Sequence, residues 1–338
     1  MGRDSALVIE RALLPVDFLP TASAEALRFR AKCMAAVRRF FDERGYFEVD
    51  TPVLSQDIVI DAYLEPLVVR EAHTGRDYYL QTSPEFGMKR LLCGGIGAIY
   101  QLSHVFRQGE RGTHHNPEFS MVEWYRTQDD HFAQMQVVED LLHATAQLTA
   151  APHSFPRPFL RTTYREAFLR HLKLDPFAAS LDELQRTTRE QGIEPPPSLD
   201  RDGWLNLLLA MSVESKLGVD RPEFLYDYPA SQSALAQTRR TPHHVAERFE
   251  LYCGGIELCN GYHELLDPAE LRRRNESQQA IRRRDWNREL PQESRLLSAM
   301  EHGLPPCAGV ALGFDRLVML LRGSSRIDDV IPFPVERA

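Results

Sequence analysis

Two arginines in this chain of 338 residues stand where a strand-like run gives way to a turn or a helix. Arg107 opens Arg107-Gln108-Gly109-Glu110, with His115-Asn116-Pro117-Glu118-Phe119 a short loop later. Arg316 follows Gly309-Val310-Ala311-Leu312-Gly313-Phe314-Asp315. A planar guanidinium grips phosphate oxygens through two parallel hydrogen bonds. Two of them from distant segments predict a nucleotide held from both ends. Carboxylates form a second set. Glu250 and Glu257 flank Gly254-Gly255. If the glycines make a two-residue hairpin turn, Cys253 pairs with Ile256 and Tyr252 with Glu257. Glu250 shares a face with Tyr252, so the two glutamates become diagonal neighbours, about 7 Å apart at Cβ. Such a pair is either solvated on an open sheet face or bridged by a cation, and Mg²⁺ shared with substrate phosphates is the natural candidate.

Other polar residues cluster around these. Strand alternation places Phe119, Met121, Glu123 and Tyr125 on one face, where Glu123 and Tyr125 suit a cationic amino acid. Ser83-Pro84-Glu85 precedes a short helical pattern and reads equally as an ordinary helix cap. Ala311 stands between Gly309 and Gly313 in a strand where glycine marks close approach to the backbone. The pairs His114-His115 and His243-His244 lack zinc spacing and read as surface or loop histidines.

The elements that must position these residues follow from periodicity. Residues 24–44 carry Leu27, Cys33, Met34, Val37 and Phe41 near one helical face, with Gly45 as a stop. A proline-broken strand follows over Phe47-Glu48-Val49, Thr51-Pro52 and Val53-Leu54. Strands are expected at 78–81, 98–107 and 119–126, a short helix at 83–92 closed by Gly94-Gly95, and a helix over 131–149. Residues 151–220 read as a small helical insertion without a catalytic pattern, with a loop at Pro195-Pro196-Pro197. Sheet resumes from Phe249. There is no regular βαβα alternation and no Walker sequence, so the expected fold is α+β, a mostly antiparallel sheet flanked by helices.

Composition narrows the class. Apolar residues make up 43% and charged residues 26%, both near globular averages. A net charge of −8 argues against a broad nucleic-acid-binding surface. The N-terminal residues lack the apolar core of a signal peptide. Five scattered cysteines without CxxC spacing read as reduced thiols, and a cytoplasmic protein is expected.

The segments around Arg107 and Arg316 resemble motifs 2 and 3 of the class II aminoacyl-tRNA synthetases, closest to the lysyl branch. The helix–glycine–strand–proline unit resembles motif 1, which forms the dimer interface in that family and implies a homodimer. The resemblance implies Arg107 and Arg316 as the catalytic pair. It assigns Arg107, Gln108, Gly109, Asn116, Glu257, Leu258, Gly313 and Arg316 to ATP, and Glu250 and Glu257 to magnesium. Ser83, Pro84, Glu85, Glu123, Tyr125, Tyr262, Glu264 and Ala311 fall to a lysine-like amino acid. Two positions depart from the usual pattern. Gly109 stands where an acid normally meets adenine, leaving backbone atoms or Glu110 for that task. Ala311 replaces the middle glycine of motif 3, and its methyl suggests a displaced substrate amino group.

The chain reads as a single catalytic domain over 1–338 without the OB-fold anticodon domain of lysyl-tRNA synthetases. Glu123-Trp124-Tyr125 and the motif 3 alanine make it similar to the elongation factor P–(R)-β-lysine ligase family. That similarity implies ATP-dependent activation of β-lysine as an adenylate and transfer to a lysine of elongation factor P, with no stable tRNA binding. Two other readings stand beside it, a minimal lysyl-tRNA synthetase and a non-catalytic amino-acid sensor.

Overall fold

The computed structural model describes residues 18–149, 155–194, 199–285 and 287–338. The chain begins with α1 (Ala24–Asp42), capped by Ser23 Oγ accepting from the Ala26 amide at 3.1 Å. Its apolar stripe buries Cys33, Val37, Phe40 and Phe41, as the spacing requires. There follow β1 (Phe47–Glu48), β2 (Leu54–Ser55), β3 (Val68–Arg70), β4 (Asp77–Leu80), α2 (Glu85–Cys93), β5 (Ala98–Phe106), β6 (Glu118–Thr127) and α3 (His131–Ala146). The middle of the chain forms β7 (Leu160–Thr163), α4 (Tyr164–Leu172), α5 (Leu181–Glu190), α6 (Arg201–Leu208) and β8 (Glu223–Pro229). The last part forms β9 (Thr238–Thr241), β10 (His243–Cys253), β11 (Ile256–His263), α7 (Pro268–Arg284), α8 (Arg295–Gly303), β12 (Cys307–Gly313) and α9 (Phe314–Arg322).

The main sheet has the order β1-β5-β6-β12-β11-β10-β8-β7, with β9 also paired to β10. Among the described residues only the pairs β1–β5 and β7–β8 are parallel. Strands β2, β4 and β3 form a small second sheet. The fold is therefore α+β and mostly antiparallel. The region expected to be wholly helical also supplies β7, which extends the main sheet beside β8. The register of β7 depends on a strand some sixty residues later, so local periodicity does not reveal it. The triproline segment lies outside the described residues.

The two faces of the sheet do different work. One face packs on α1, α3 and α9 through Tyr100, Val122, Trp124, Val310, Leu312, Phe249 and Leu251. On the other face, α2, α7 and α8 cover one end around Ile99, Tyr125 and Cys307. Helices α4 and α6 cover the opposite end around Leu225, Ala246 and Tyr252. Between these two caps runs a row of paired positions across five strands: Gln101, Glu123, Ala311, Asn260 and Glu250. Paired residues in an antiparallel ladder project to the same side. Four of its five positions are polar, and Gln101, Glu123 and Glu250 are buried.

Candidate active site

Glu123 of this row belongs to a cluster of buried acids with Glu85 and Glu264. Glu123 is 1% exposed and Glu264 is fully buried. Tyr125 donates its hydroxyl to Glu123 Oε1 at 2.6 Å, and Ser83 donates to Glu123 Oε2 at 2.7 Å. The Glu85 amide in turn donates to Ser83 Oγ at 3.0 Å, so Ser83 holds the first residue of α2 and Glu123 together. Burial, and then the charge of Glu85, push the Glu123 carboxyl up to about 7. Burial pushes Glu264 up to about 8, against the opposing pull of Lys89. Both carboxylate oxygens of Glu264 are buried; Oε2 lies 2.6 Å from Lys89 Nζ and Oε1 has no partner among the described residues. A buried acceptor without a partner is costly, so Oε1 is the atom of Glu264 left to receive a donor.

Glycine makes the pocket possible. A Cβ on Gly309 would lie 2.2 Å from Tyr125 Cε1 and 2.9 Å from Glu264 Oε1. Gly309 is the rung paired with Tyr125 on one side and Tyr262 on the other. Two residues further along, Ala311 is half-buried between Glu123 and Asn260. The methyl that motif 3 carries in this chain thus projects onto the site face beside Glu123. Tyr262 accepts from Asn260 Nδ2 at 2.9 Å.

Further along the row lie the groups suited to phosphate. The Arg107 guanidinium stacks 5.1 Å from the Phe119 ring centroid and lies 3.5 Å from Glu110. Its buried Nε has no hydrogen-bond partner. Arg316 donates from Nη1 to the Glu257 carbonyl at 2.8 Å, and its Nη2 lies 2.6 Å from His115 Nε2. The Arg316 charge and burial lower the His115 pKa, burial being the larger cause. Gln108 and Gly109 are exposed in the turn, with Gly109 at a φ of 80° that favours glycine. Leu258 and Gly313 lie beside Arg316: an added Cβ at Gly313 would be 3.6 Å from Arg316 Cδ and 3.7 Å from the Leu258 carbonyl. Asn116 is used structurally, donating to the Glu118 carbonyl at 2.7 Å and accepting from the Val335 amide at 3.1 Å. It fixes the loop after Arg107 to the C-terminal segment.

The carboxylate hairpin needs one correction. Cys253 pairs with Ile256 and Tyr252 with Glu257, as the two-glycine turn predicts. A bulge between Leu251 and Tyr252 then shifts the ladder, so Glu250 faces Asn260 rather than Cys259. Glu250 Oε2 accepts from Tyr228 at 2.5 Å and Tyr252 at 2.6 Å, and Oε1 pairs with Arg248. A carboxylate has about four acceptor sites, so Glu250 retains one. Glu257 makes no side-chain hydrogen bond among the described residues, and its nearest cation is Arg316 at 3.7 Å. Burial, with Glu250 nearby, raises the Glu257 pKa. A divalent ion would relieve that repulsion, with Glu257 the freer ligand and Glu250 offering a single remaining site.

A scan against protein-family models matches residues 14–337 to the tRNA synthetases class II (D, K and N). Curated relatives carry the name elongation factor P–(R)-β-lysine ligase. The protein of Yersinia enterocolitica is 45% identical over 325 residues, covering 94% of this chain and 98% of that protein. Those of Pectobacterium carotovorum and Vibrio parahaemolyticus are each 44% identical, with 98% and 99% of their lengths covered. The chain belongs to the class II tRNA synthetases, in the elongation factor P–(R)-β-lysine ligase family. A buried acid, Asp315, precedes Arg316. It pairs with Arg30 of α1 and accepts from the Ser120 amide at 2.8 Å, tying α1, β6 and α9 together.

Several residues around the site escaped the sequence reading. Arg30, Tyr228 and Lys89 are held by partners distant in sequence, and Arg248 joins Glu250 two residues on to the Gln232 carbonyl, which no local pattern marks. Lys89 could have been noticed as the i+4 partner of Glu85, but such pairs are ordinary on helix surfaces. The histidine cluster of this protein is neither His114-His115 nor His243-His244. His131, Glu247 and His263 bring ligand atoms within 4.8 Å of one another. Arg239 Nη1 lies 3.3 Å from Glu247 Oε1 and 3.4 Å from His131 Nε2, so a guanidinium already supplies the positive charge there.

Proposed function

We propose that this protein activates (R)-β-lysine with ATP and transfers it to a lysine side chain of elongation factor P. The observation that carries this reading is the buried cluster of Glu85, Glu123 and Glu264 in a chain that also sets Arg107 at the end of β5 and Arg316 in the first turn of α9. Full-length similarity to ligases of that name supports it. In this reading Glu264 receives the distal ammonium and Glu85, beside Ser83 and Pro84, receives the amino group nearer the carboxylate. Glu123, Tyr125 and Tyr262 line the chain between them, and Ala311 limits space at the carbon that bears the amino group in an α-amino acid.

The substrate carboxylate attacks the α-phosphorus of ATP in line. The bond from that phosphorus to the bridging oxygen breaks, pyrophosphate leaves, and an aminoacyl-adenylate remains. Arg107 and Arg316 grip the phosphates and offset charge developing on the transferring centre. Arg316 must exchange its contacts with His115 and the Glu257 carbonyl for phosphate oxygens. Gln108, Gly109, Asn116, Leu258 and Gly313 shape the nucleotide's seat, and Asn116 does so by fixing the loop. Mg²⁺ held by Glu257 and Glu250 neutralises triphosphate charge when bound. In the second step the acceptor amine attacks the adenylate carbonyl, the bond to the phosphate oxygen breaks, and AMP departs. No side chain of the protein needs to become covalently attached.

A homodimer in the cytoplasm fits the same reading. Phe47, Val53 and Leu54 of the motif 1 segment are 62%, 41% and 41% exposed, an apolar strip of the kind that a two-fold partner covers. The helices between β7 and β8 form an insertion within one catalytic domain.

The test is ATP–pyrophosphate exchange with (R)-β-lysine, (S)-β-lysine and α-lysine, followed by transfer to purified elongation factor P or to tRNA. Exchange best with (R)-β-lysine and transfer to the protein is expected. Transfer to tRNA alone would establish a lysyl-tRNA synthetase instead, and no exchange with any isomer would leave a sensor.

A further inference from the structure

Lys89 lies inside the acidic pocket rather than on the surface of α2. It is 2% exposed. Its Nζ pairs with Glu85 Oε1 one helical turn earlier and lies 2.6 Å from Glu264 Oε2, and 5.9 Å from the Tyr125 ring centroid. The two acids it joins come from different elements, one from the first turn of α2 and one from just after β11. The described residues offer no other cation to either: Glu85 and Glu264 pair with nothing else. When all are ionised, Glu85, Glu123 and Glu264 against one Lys89 leave two negative charges.

We propose that Lys89 is a positioning residue that sets both the spacing and the charge of the amino-acid pocket, so that it selects a substrate carrying two ammonium groups. This rests on the lysine-like substrate proposed above. The physical argument has two parts. Three buried carboxylates without a cation repel one another and take up protons. With Lys89 between them, two acids stay within reach of each other, and the residual charge matches the two ammoniums of a lysine isomer whose carboxylate is turned toward Arg107. Lys89 donates up to three hydrogen bonds and accepts none. Its Nζ reaches Oε2 of Glu264 and leaves the buried Oε1 without a partner for the incoming ammonium.

The groups facing Lys89 are few. Glu85 and Cys93 come from its own helix, Glu264 from the end of β11, Cys307 from β12, and Tyr125 with Glu123 from β6. Burial alone would lower the Lys89 pKa, but Glu264 and Glu85 outweigh it and the ammonium is held charged. The Lys89 charge and hydrogen bond oppose the burial that raises Glu264, whereas the charges of Glu85 and Glu123 add to it. Removing the ammonium therefore leaves Glu264 more firmly protonated, and substrate must displace a proton to bind.

The experiment is KM and kcat for ATP–pyrophosphate exchange with lysine isomers, from about pH 6.5 to about pH 8.5, in the unsubstituted enzyme, Lys89→Met and Lys89→Arg. One unit of displaced carboxyl titration is a tenfold change in the ionised fraction. In Lys89→Met, KM is expected to rise about tenfold at the acidic end and to recover toward the unsubstituted value at the alkaline end, with kcat changing much less. Lys89→Arg keeps the charge and is expected to keep the original pH profile. A KM in Lys89→Met that shifts equally at every pH, together with kcat, would mark a merely structural role and overturn the inference. If Lys89→Met does not fold, Lys89→Arg decides alone: a newly pH-dependent KM in that variant overturns it. Absence of exchange by the unsubstituted enzyme with every isomer would refute the functional reading itself, a different outcome from either.

Discussion

Ala311→Gly removes one methyl from the site face and should move substrate preference toward α-lysine. The structure gives the reasons for the direction and the size. Ala311 is the rung between Glu123 and Asn260, so its methyl stands beside the carboxylate pocket, half-buried. A substrate whose amino group is one carbon further from the carboxylate leaves that space free, whereas an α-amino group crowds it. A methyl-sized contact in a pocket is worth about 1–3 kcal/mol of discrimination, about tenfold to a hundredfold in relative kcat/KM. Glycine in a strand also costs about 0.5–1 kcal/mol of stability. That term is common to both substrates in one variant and cancels from the ratio. Gly309→Ala is the matched control. The same methyl two rungs away would lie 2.2 Å from Tyr125 Cε1, so activation of both isomers should fall together. The assay is paired exchange kinetics on α-lysine and (R)-β-lysine. An unchanged preference ratio in Ala311→Gly, in a protein that folds and retains exchange, would refute the steric argument and leave the methyl as packing.

Arg107→Ala or Arg316→Ala should reduce exchange a few hundredfold or more, about 3–4 kcal/mol of lost charge stabilisation, while thermal unfolding stays near the unsubstituted value; near-normal exchange would remove the arginine from the phosphate grip. The raised Glu123 pKa, about 7, makes a stability contribution that is complete below the ordinary carboxyl pKa and lost as pH rises through about 7. Without amino acid, Tm should therefore fall across the neutral range, and Glu123→Gln should flatten that decline; a slope identical in both proteins would contradict the assignment. Sedimentation at micromolar concentration should give a dimer, and Phe47→Asp should shift it toward monomer; a fully active monomer would refute the role given to the motif 1 strip.

The sequence alone determined the chemistry-bearing segments and their local geometry. Arg107 and Arg316 fall at strand ends, Gly254-Gly255 turns the hairpin with the predicted first pairs, and Glu123 shares a face with Tyr125. These follow from turn chemistry and a period of two, which act over a few residues. Tertiary structure decided what depends on distant partners. The bulge at Leu251 and Tyr252 displaced Glu250 by one rung and handed it to Tyr228, Tyr252 and Arg248. β7 joined the sheet only because β8 was there to pair with it. Lys89, four residues after Glu85, reads locally as one half of a solvated helix pair. It becomes a pocket residue because β6 and the end of β11 close over that face of α2, and burial is a property of the neighbours, not of the spacing.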